Sequence, residues 1–125
     1  GSEMCKETAF VPHLLPVNRG ILSTIYARLK PGVTLADARA TYEAAYRGER
    51  FVRLLPEGQG VNIHHVCGSN YCDIQLYSDP HTGLLIVTSV IDNMVKGAAG
   101  QAIQNMNLLF GLDEAAGLDM IPLAF

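Results

Sequence analysis

Residues 84–110 read Leu84-Leu85-Ile86-Val87-Thr88-Ser89-Val90-Ile91, then Asp92-Asn93-Met94-Val95-Lys96-Gly97-Ala98-Ala99-Gly100, then Gln101-Ala102-Ile103-Gln104-Asn105-Met106-Asn107-Leu108-Leu109-Phe110. The first eight are a nearly unbroken apolar run, the pattern of a strand in the middle of a sheet. The chain leaves that strand on an Asp-Asn turn and enters a helix over 97–110, with Gly111 in the usual C-terminal position. A close-packed helix start with free N–H groups offers room and a dipole for a polar ligand. Gly97-Ala98-Ala99-Gly100 at the mouth therefore tilts Asp92 and Asn93 away from plain turn formers and toward a ligand-binding corner.

Upstream of this unit the chain alternates strands with one more helix. The stretch 9–15, punctuated by Pro12 and Pro16, is expected to be extended and to serve as an entry or edge. Asn18-Arg19-Gly20 is a turn, and 21–29 alternates β-branched and aromatic residues as a strand does. Lys30-Pro31-Gly32 breaks it. Thr34 is a plausible N-cap with Asp37 three residues on, and Leu35, Ala38, Tyr42, Ala45 and Tyr46 follow helical spacing as one buried face. Gly48 ends that helix, and 51–55 is a short strand closed by Pro56-Glu57-Gly58. Two further strands are expected at 61–67 and 71–77, before a hairpin loop at Asp79-Pro80-His81-Thr82-Gly83. The order indicates an α+β domain with helices on one face of a sheet. The second helix carries Ala99, Ala102, Ile103, Met106 and Phe110 on one side, while Ala98, Leu108 and Leu109 spread apolar surface further round. Two helices on one small sheet do not cover all of that, so a further domain or subunit is expected to.

The totals bound the function. At 125 residues, 49% apolar and 17% charged, the chain is one domain with enough apolar surface for a core. A formal net charge of -3 with mixed signs argues against a nucleic-acid surface. No apolar run reaches membrane-spanning length and no signal peptide is visible. Residues 1–8 read as a tag remnant, with Gly1-Ser2 as its scar, and a linker. Cys5, Cys67 and Cys72 form an odd set that suits a reducing compartment, so the chain is expected to be cytoplasmic.

His64, His65, Cys67, Cys72 and His81 invite a zinc assignment, but no Cys-x-x-Cys or His-x-x-x-His unit is present, and buried thiols with surface imidazoles explain them better. Cys67 and Cys72 lie in apolar strand patterns and Cys5 in a polar tail, which are poor settings for a reactive thiolate. His13 is the best-placed histidine, because the turn at Arg19-Gly20 follows closely. Arg19 is either a solvated turn cation or a fork for a carboxylate or phosphate. Lys96 is either a snorkelling surface lysine or a charge partner for a phosphate. No Gly-x-Gly-x-x-Gly follows a strand, and no Walker loop is present.

Taken together, Phe10-Val11-Pro12-His13-Leu14, Arg19-Gly20-Ile21-Leu22, Leu55-Pro56-Glu57-Gly58-Gln59, Gly68-Ser69-Asn70 and the run from Ile91 through Asn107 to Gly111 resemble the N-acetyl-γ-glutamyl-phosphate reductases. These are NADPH-dependent enzymes of arginine biosynthesis. The resemblance runs from about Phe10 to Leu118. It implies a mixed, largely antiparallel sheet with helices on one face, like the C-terminal domain of the glyceraldehyde-phosphate and aspartate-semialdehyde dehydrogenases. Residues 9–125 would then be part of the catalytic and dimerisation domain, including the C-terminal helix, without the Rossmann domain. In related enzymes that helix packs back on the cofactor domain.

The implied reaction is reductive dephosphorylation of an acyl phosphate, N-acetyl-glutamyl 5-phosphate, to the semialdehyde. A Cys thiolate attacks, phosphate leaves, NADPH delivers hydride, and a His serves as acid and base. The family's cofactor fingerprint, nucleophilic Cys motif and catalytic His motif all lie upstream of the residues present here. None of the three cysteines matches the nucleophile, and His13 does not match the catalytic His. By resemblance, Asn93 holds the nicotinamide amide of NADP with Gly97 and Ala98 nearby, and Arg19 and His13 are the local candidates for substrate. The chain is expected to be inactive alone and to form a homo-oligomer, with no nucleic acid or membrane as partner. The rival expectation is a non-catalytic assembly or regulatory domain on the same scaffold.

Overall fold

The computed structural model describes residues 9–122. Cys5 and the expected tag remnant lie outside the described residues. Strand β1 spans Ile21–Arg28, helix α1 Leu35–Ala45, β2 Val52–Leu54, β3 Cys72–Ser78, β4 Leu84–Ile91 and helix α2 Gly100–Leu109. The four strands form one sheet in the order β1-β4-β3-β2. The apolar run that opens the sequence argument is thus an interior strand, antiparallel to both neighbours, with Ile21 opposite Ile91 and Cys72 opposite the same residue. β2 joins β3 in parallel, and the sheet is mixed but largely antiparallel. Arg53 and Asp73 sit opposite each other in that parallel pair and form a two-pronged ion pair at 2.6 and 3.0 Å, with the guanidinium also stacked 4.1 Å from the Tyr71 ring.

α1 starts where the sequence places it. Thr34 Oγ1 accepts from the Asp37 N–H at 3.2 Å, and the Asp37 carboxylate accepts from the Thr34 N–H at 2.8 Å, a reciprocal cap on both first-turn donors. These hydrogen bonds, the hydroxyl's above all, hold the Asp37 carboxyl below its ordinary 3.8. Ala38 lies against Ile74 and Leu76 of β3 and Leu85 and Val87 of β4, with Leu35 and Tyr42 half-buried beside them. The expected buried face is shorter than its spacing suggested: Ala45 and Tyr46 are exposed, because the small sheet ends before the helix does. β1 lies outside the core, and Ile21, Leu22, Ile25 and Tyr26 are all exposed.

Two local expectations are corrected. Residues 61–67 do not form a strand. Asn62 accepts from the His64 N–H at 3.0 Å and caps a 3₁₀ turn at Ile63–His65, which draws the backbone into local hydrogen bonds that a ladder would need. The second helix does not begin at Gly97 either. A π-helical turn over Val95–Ala99 precedes α2, so the coil starts directly off the Asp92-Asn93 corner. Around α2 the buried residues are Gly100, Gln104 and Asn107, and Ile103, Met106, Leu108, Leu109 and Phe110 face outward. The helix packs by its amide face and leaves its apolar side uncovered.

Candidate functional site

Three segments converge where β4 ends. Asp92 has a fully buried side chain. One carboxylate oxygen accepts from the Met94 and Val95 N–H groups at 2.7 and 3.1 Å, and the other accepts from the Gly68 N–H at 2.6 Å. Its carbonyl accepts from the Gly97 N–H at 3.0 Å, the bond that widens the first turn. Arg19 Nε lies 3.2 Å from the oxygen that Gly68 binds, an ion pair without an aligned hydrogen bond. A buried carboxylate is stable only when its charge and lone pairs are met, and three backbone donors with one guanidinium meet them here.

Asn93, half-buried, accepts from the Gly20 N–H through Oδ1 at 2.8 Å, across 73 positions of sequence. Gly20 has no substitute at this place. Its φ of +108° is left-handed, and a Cβ there would overlap Ile63 Cγ2 of the 3₁₀ turn. The turn at 19–20 is thereby held to the corner twice, by Arg19 on Asp92 and by Gly20 on Asn93.

The remaining expected site residues divide. Gly97 and Ala98 are exposed beside Asn93, and a Cβ on Gly97 would meet Ile91, Asp92 and Asn93 only at 3.5–3.9 Å, ordinary contact. The glycine that packing demands is Gly100, where a Cβ would overlap Asn70 Oδ1 and come within 2.7 Å of Val95. His13 is exposed, and its ring nitrogen meets the Val11 carbonyl at 3.0 Å, so its polar contact is local to its own segment. Lys96 answers to neither of its two expected roles within the described residues: Nζ donates to Gln104 Oε1 at 2.6 Å and sits 5.6 Å from the Phe51 ring. Burial pushes its amine below the ordinary 10.5, partly offset by Cys72, Glu114 and Glu49.

Sequence reasoning missed what lies behind the corner. Gln104 Oε1 also accepts from Asn70 Nδ2 at 3.0 Å, and Gln104 Nε2 donates to Glu114 at 2.6 Å. Asn107 donates to the Glu114 and Ala116 carbonyls, both at 3.0 Å. This network ties the Gly68-Ser69-Asn70 loop, whose Gly68 N–H binds Asp92, to α2 and the chain's end. The only sequence signal for it was the unusual number of amides along the helix. Among the described residues no three His, Cys, Asp or Glu side chains converge as a metal site would need, and no helix is long and apolar enough to cross a membrane. Two shallow concavities, at Arg28–Leu29 with Thr82–Leu84 and at Leu35 with Glu57 and Tyr77, lie away from the corner.

A family model described as "Semialdehyde dehydrogenase, dimerisation domain" matches residues 2–93, nearly three quarters of the chain. The chain belongs to the semialdehyde dehydrogenase dimerisation-domain family. Its α+β architecture fits that domain, and membership supports assembly into oligomers. The match ends at Asn93, so the dimerisation domain as that family defines it includes all four strands and the corner's two acids-and-amide residues but not α2. Among curated relatives, the N-acetyl-gamma-glutamyl-phosphate reductase of Geobacter sp. strain M21 is 58% identical over 113 residues, 90% of this chain and 33% of that protein. The protein of the same name from Desulforapulum autotrophicum is 55% identical with the same coverage. That from Alkaliphilus metalliredigens is 54% identical over 123 residues, 98% of this chain and 35% of the relative. This member of the dimerisation-domain family therefore spans about a third of the length of the curated relatives it matches.

Proposed function

We propose that this chain is part of an N-acetyl-γ-glutamyl-phosphate reductase and supplies one wall of the nicotinamide site of that enzyme. The observation that carries the reading is the identity of more than half over nine tenths of the chain, a span that includes the corner itself. On this reading residues 9–125 belong to the catalytic and dimerisation domain, which works in the cytoplasm as a homo-oligomer. The substrate is N-acetyl-glutamyl 5-phosphate, and the products are the 5-semialdehyde and phosphate.

The residues present suit a nicotinamide carboxamide. Asn93 is fixed by Gly20 and no described residue accepts from its Nδ2, while Gly97 and Ala98 keep the adjoining surface low and open. When bound, NADPH supplies the hydride for the reduction. Asn93 orients the carboxamide end, and Asp92 holds Asn93 in place by fixing the turn on both sides of it. The Arg19 guanidinium is the local group for the substrate's anionic end, with Asp92 gripping its Nε, and His13 sits upstream on the same entry segment.

The test is a reductase assay run in reverse, from semialdehyde, phosphate and NADP, on the 125-residue chain and on the complete polypeptide that carries it. The complete polypeptide should turn over and the 125-residue chain should not. Turnover by the short chain alone, or none by the complete polypeptide, overturns the reading.

A further inference from the structure

Asn93 is an amide with one acceptor and one donor end, and the fold has already used one of them. The partner of its side chain is a backbone N–H, which can only donate, so the atom facing Gly20 must be Oδ1. Rotating the amide by half a turn would set two donors against each other. The nearby side-chain acceptors are engaged as well: both Asp92 carboxylate oxygens bind backbone N–H groups, and the Asp92 carbonyl binds Gly97. The side-chain groups still open to a ligand at this corner are therefore donors, the Nδ2 of Asn93 and the Nη groups of Arg19, whose Nε is spent on Asp92.

We infer that Gly20, through its N–H, sets the polarity of the corner, so that Asn93 offers a donor and reads a carbonyl oxygen of its ligand. This rests on the nicotinamide reading above and sharpens it. The contact is made to the oxygen of the cofactor's carboxamide, and the carboxamide NH₂ points elsewhere. Gly20 is a positioning residue in this scheme, and it acts through Asn93. No side chain at position 20 could take over, since the N–H reaches Asn93 only from the left-handed turn that Ile63 closes against.

The decisive variant is Asn93→Asp, because a carboxylate still accepts from Gly20 while turning the outward donor into an acceptor. Dissociation constants of the complete polypeptide are measured for NADPH and for its reduced 3-acetylpyridine analogue, which keeps the carbonyl and lacks the NH₂. Wild type should bind the two within about threefold, and Asn93→Asp should weaken both by about 10- to 100-fold, the loss for an opposed hydrogen-bonding group. In the 125-residue chain, hydrogen exchange at the Gly20 amide should stay protected in Asn93→Asp and become fast in Asn93→Ala.

A wild-type protein that rejects the analogue by such a factor overturns the inference and leaves the cofactor reading standing. So does an Asn93→Asp protein that binds NADPH as tightly as wild type while Asn93→Ala does not. Unchanged affinity in both variants overturns the cofactor reading itself. Loss of Gly20 protection in Asn93→Asp removes Gly20 from the scheme.

Discussion

The small residues that open the second helix look alike in sequence, and the structure gives them different reasons. Gly100 is buried under Asn70 and Val95, so a methyl there forces a shift in a fixed polar side chain. Gly100→Ala should destabilise the chain by about 1–3 kcal/mol, the usual cost of overpacking a tight site. Gly97 is exposed and has ordinary room for a Cβ, so Gly97→Ala should fold within about 0.5 kcal/mol of wild type or slightly above it, since alanine restricts the unfolded chain. Urea unfolding of the two variants side by side checks this, and equal losses would show that the packing assignment is wrong. The pair also separates stability from function: the cost of a methyl at Gly97 should fall on the ligand surface beside Asn93 and not on the fold. Sequence alone put Asp92 and Asn93 in a corner, because an Asp-Asn pair after an apolar strand is a turn that ligands favour. It could not find Gly20 as the partner of Asn93, because nothing local records a contact across 73 positions.

The elements were legible where local chemistry and tertiary packing agree. β4 is an uninterrupted apolar run buried between two strands, and its bounds match the pattern residue for residue. α1 carries its own start signal in Thr34 and Asp37, and the same pair supports a test. Thr34→Ala should cost about 1 kcal/mol through loss of the cap. Because the folded chain lowers the Asp37 pKa, that carboxylate stabilises the helix above its ordinary 3.8, and the contribution disappears as pH falls through the lower folded value. Asp37→Asn should therefore flatten the acid limb of a stability–pH profile followed by circular dichroism; an unchanged limb would mean the carboxylate does not serve the cap. The stretch 61–67 was misread because Val61, Ile63 and His65 alternate like a strand, while the deciding residue is Asn62, whose side chain competes for the backbone. The face of α2 was misjudged for the opposite reason. Periodicity identifies an apolar side but not whether anything covers it, and here the amides found buried partners in Asn70 and Glu114 while the apolar side found none.

At the scale of the whole molecule two apolar surfaces stand uncovered, and the family assignment tells them apart. β1 is an edge strand whose Leu22 and Tyr26 are 56% and 65% exposed, and α2 presents Leu109 and Phe110 at 83% and 77%. Surfaces of this kind on a soluble chain mark contacts with another body. The dimerisation-domain match covers residues 2–93, which include β1 and stop before α2. Self-association of the 125-residue chain should therefore run through the sheet and not through the helix. Leu22 and Tyr26 lie on one face of β1, two steps of the strand period apart, so Leu22→Lys with Tyr26→Lys places two charges on that face of the exposed edge. Sedimentation at micromolar concentration should show wild type as an oligomer and this double variant shifted toward monomer. Leu109→Glu with Phe110→Glu should leave the oligomer intact. Both pairs should keep their unfolding midpoints, since surface positions without buried contacts change stability by only about 0.5 kcal/mol. A wild-type chain that sediments as a monomer would remove the premise, and dissolution by the helix pair instead of the strand pair would move the interface to α2. If the strand pair alone dissociates the chain, the apolar side of α2 is left for a different body, and the two thirds of the relatives' length that this chain does not span is where that body would come from.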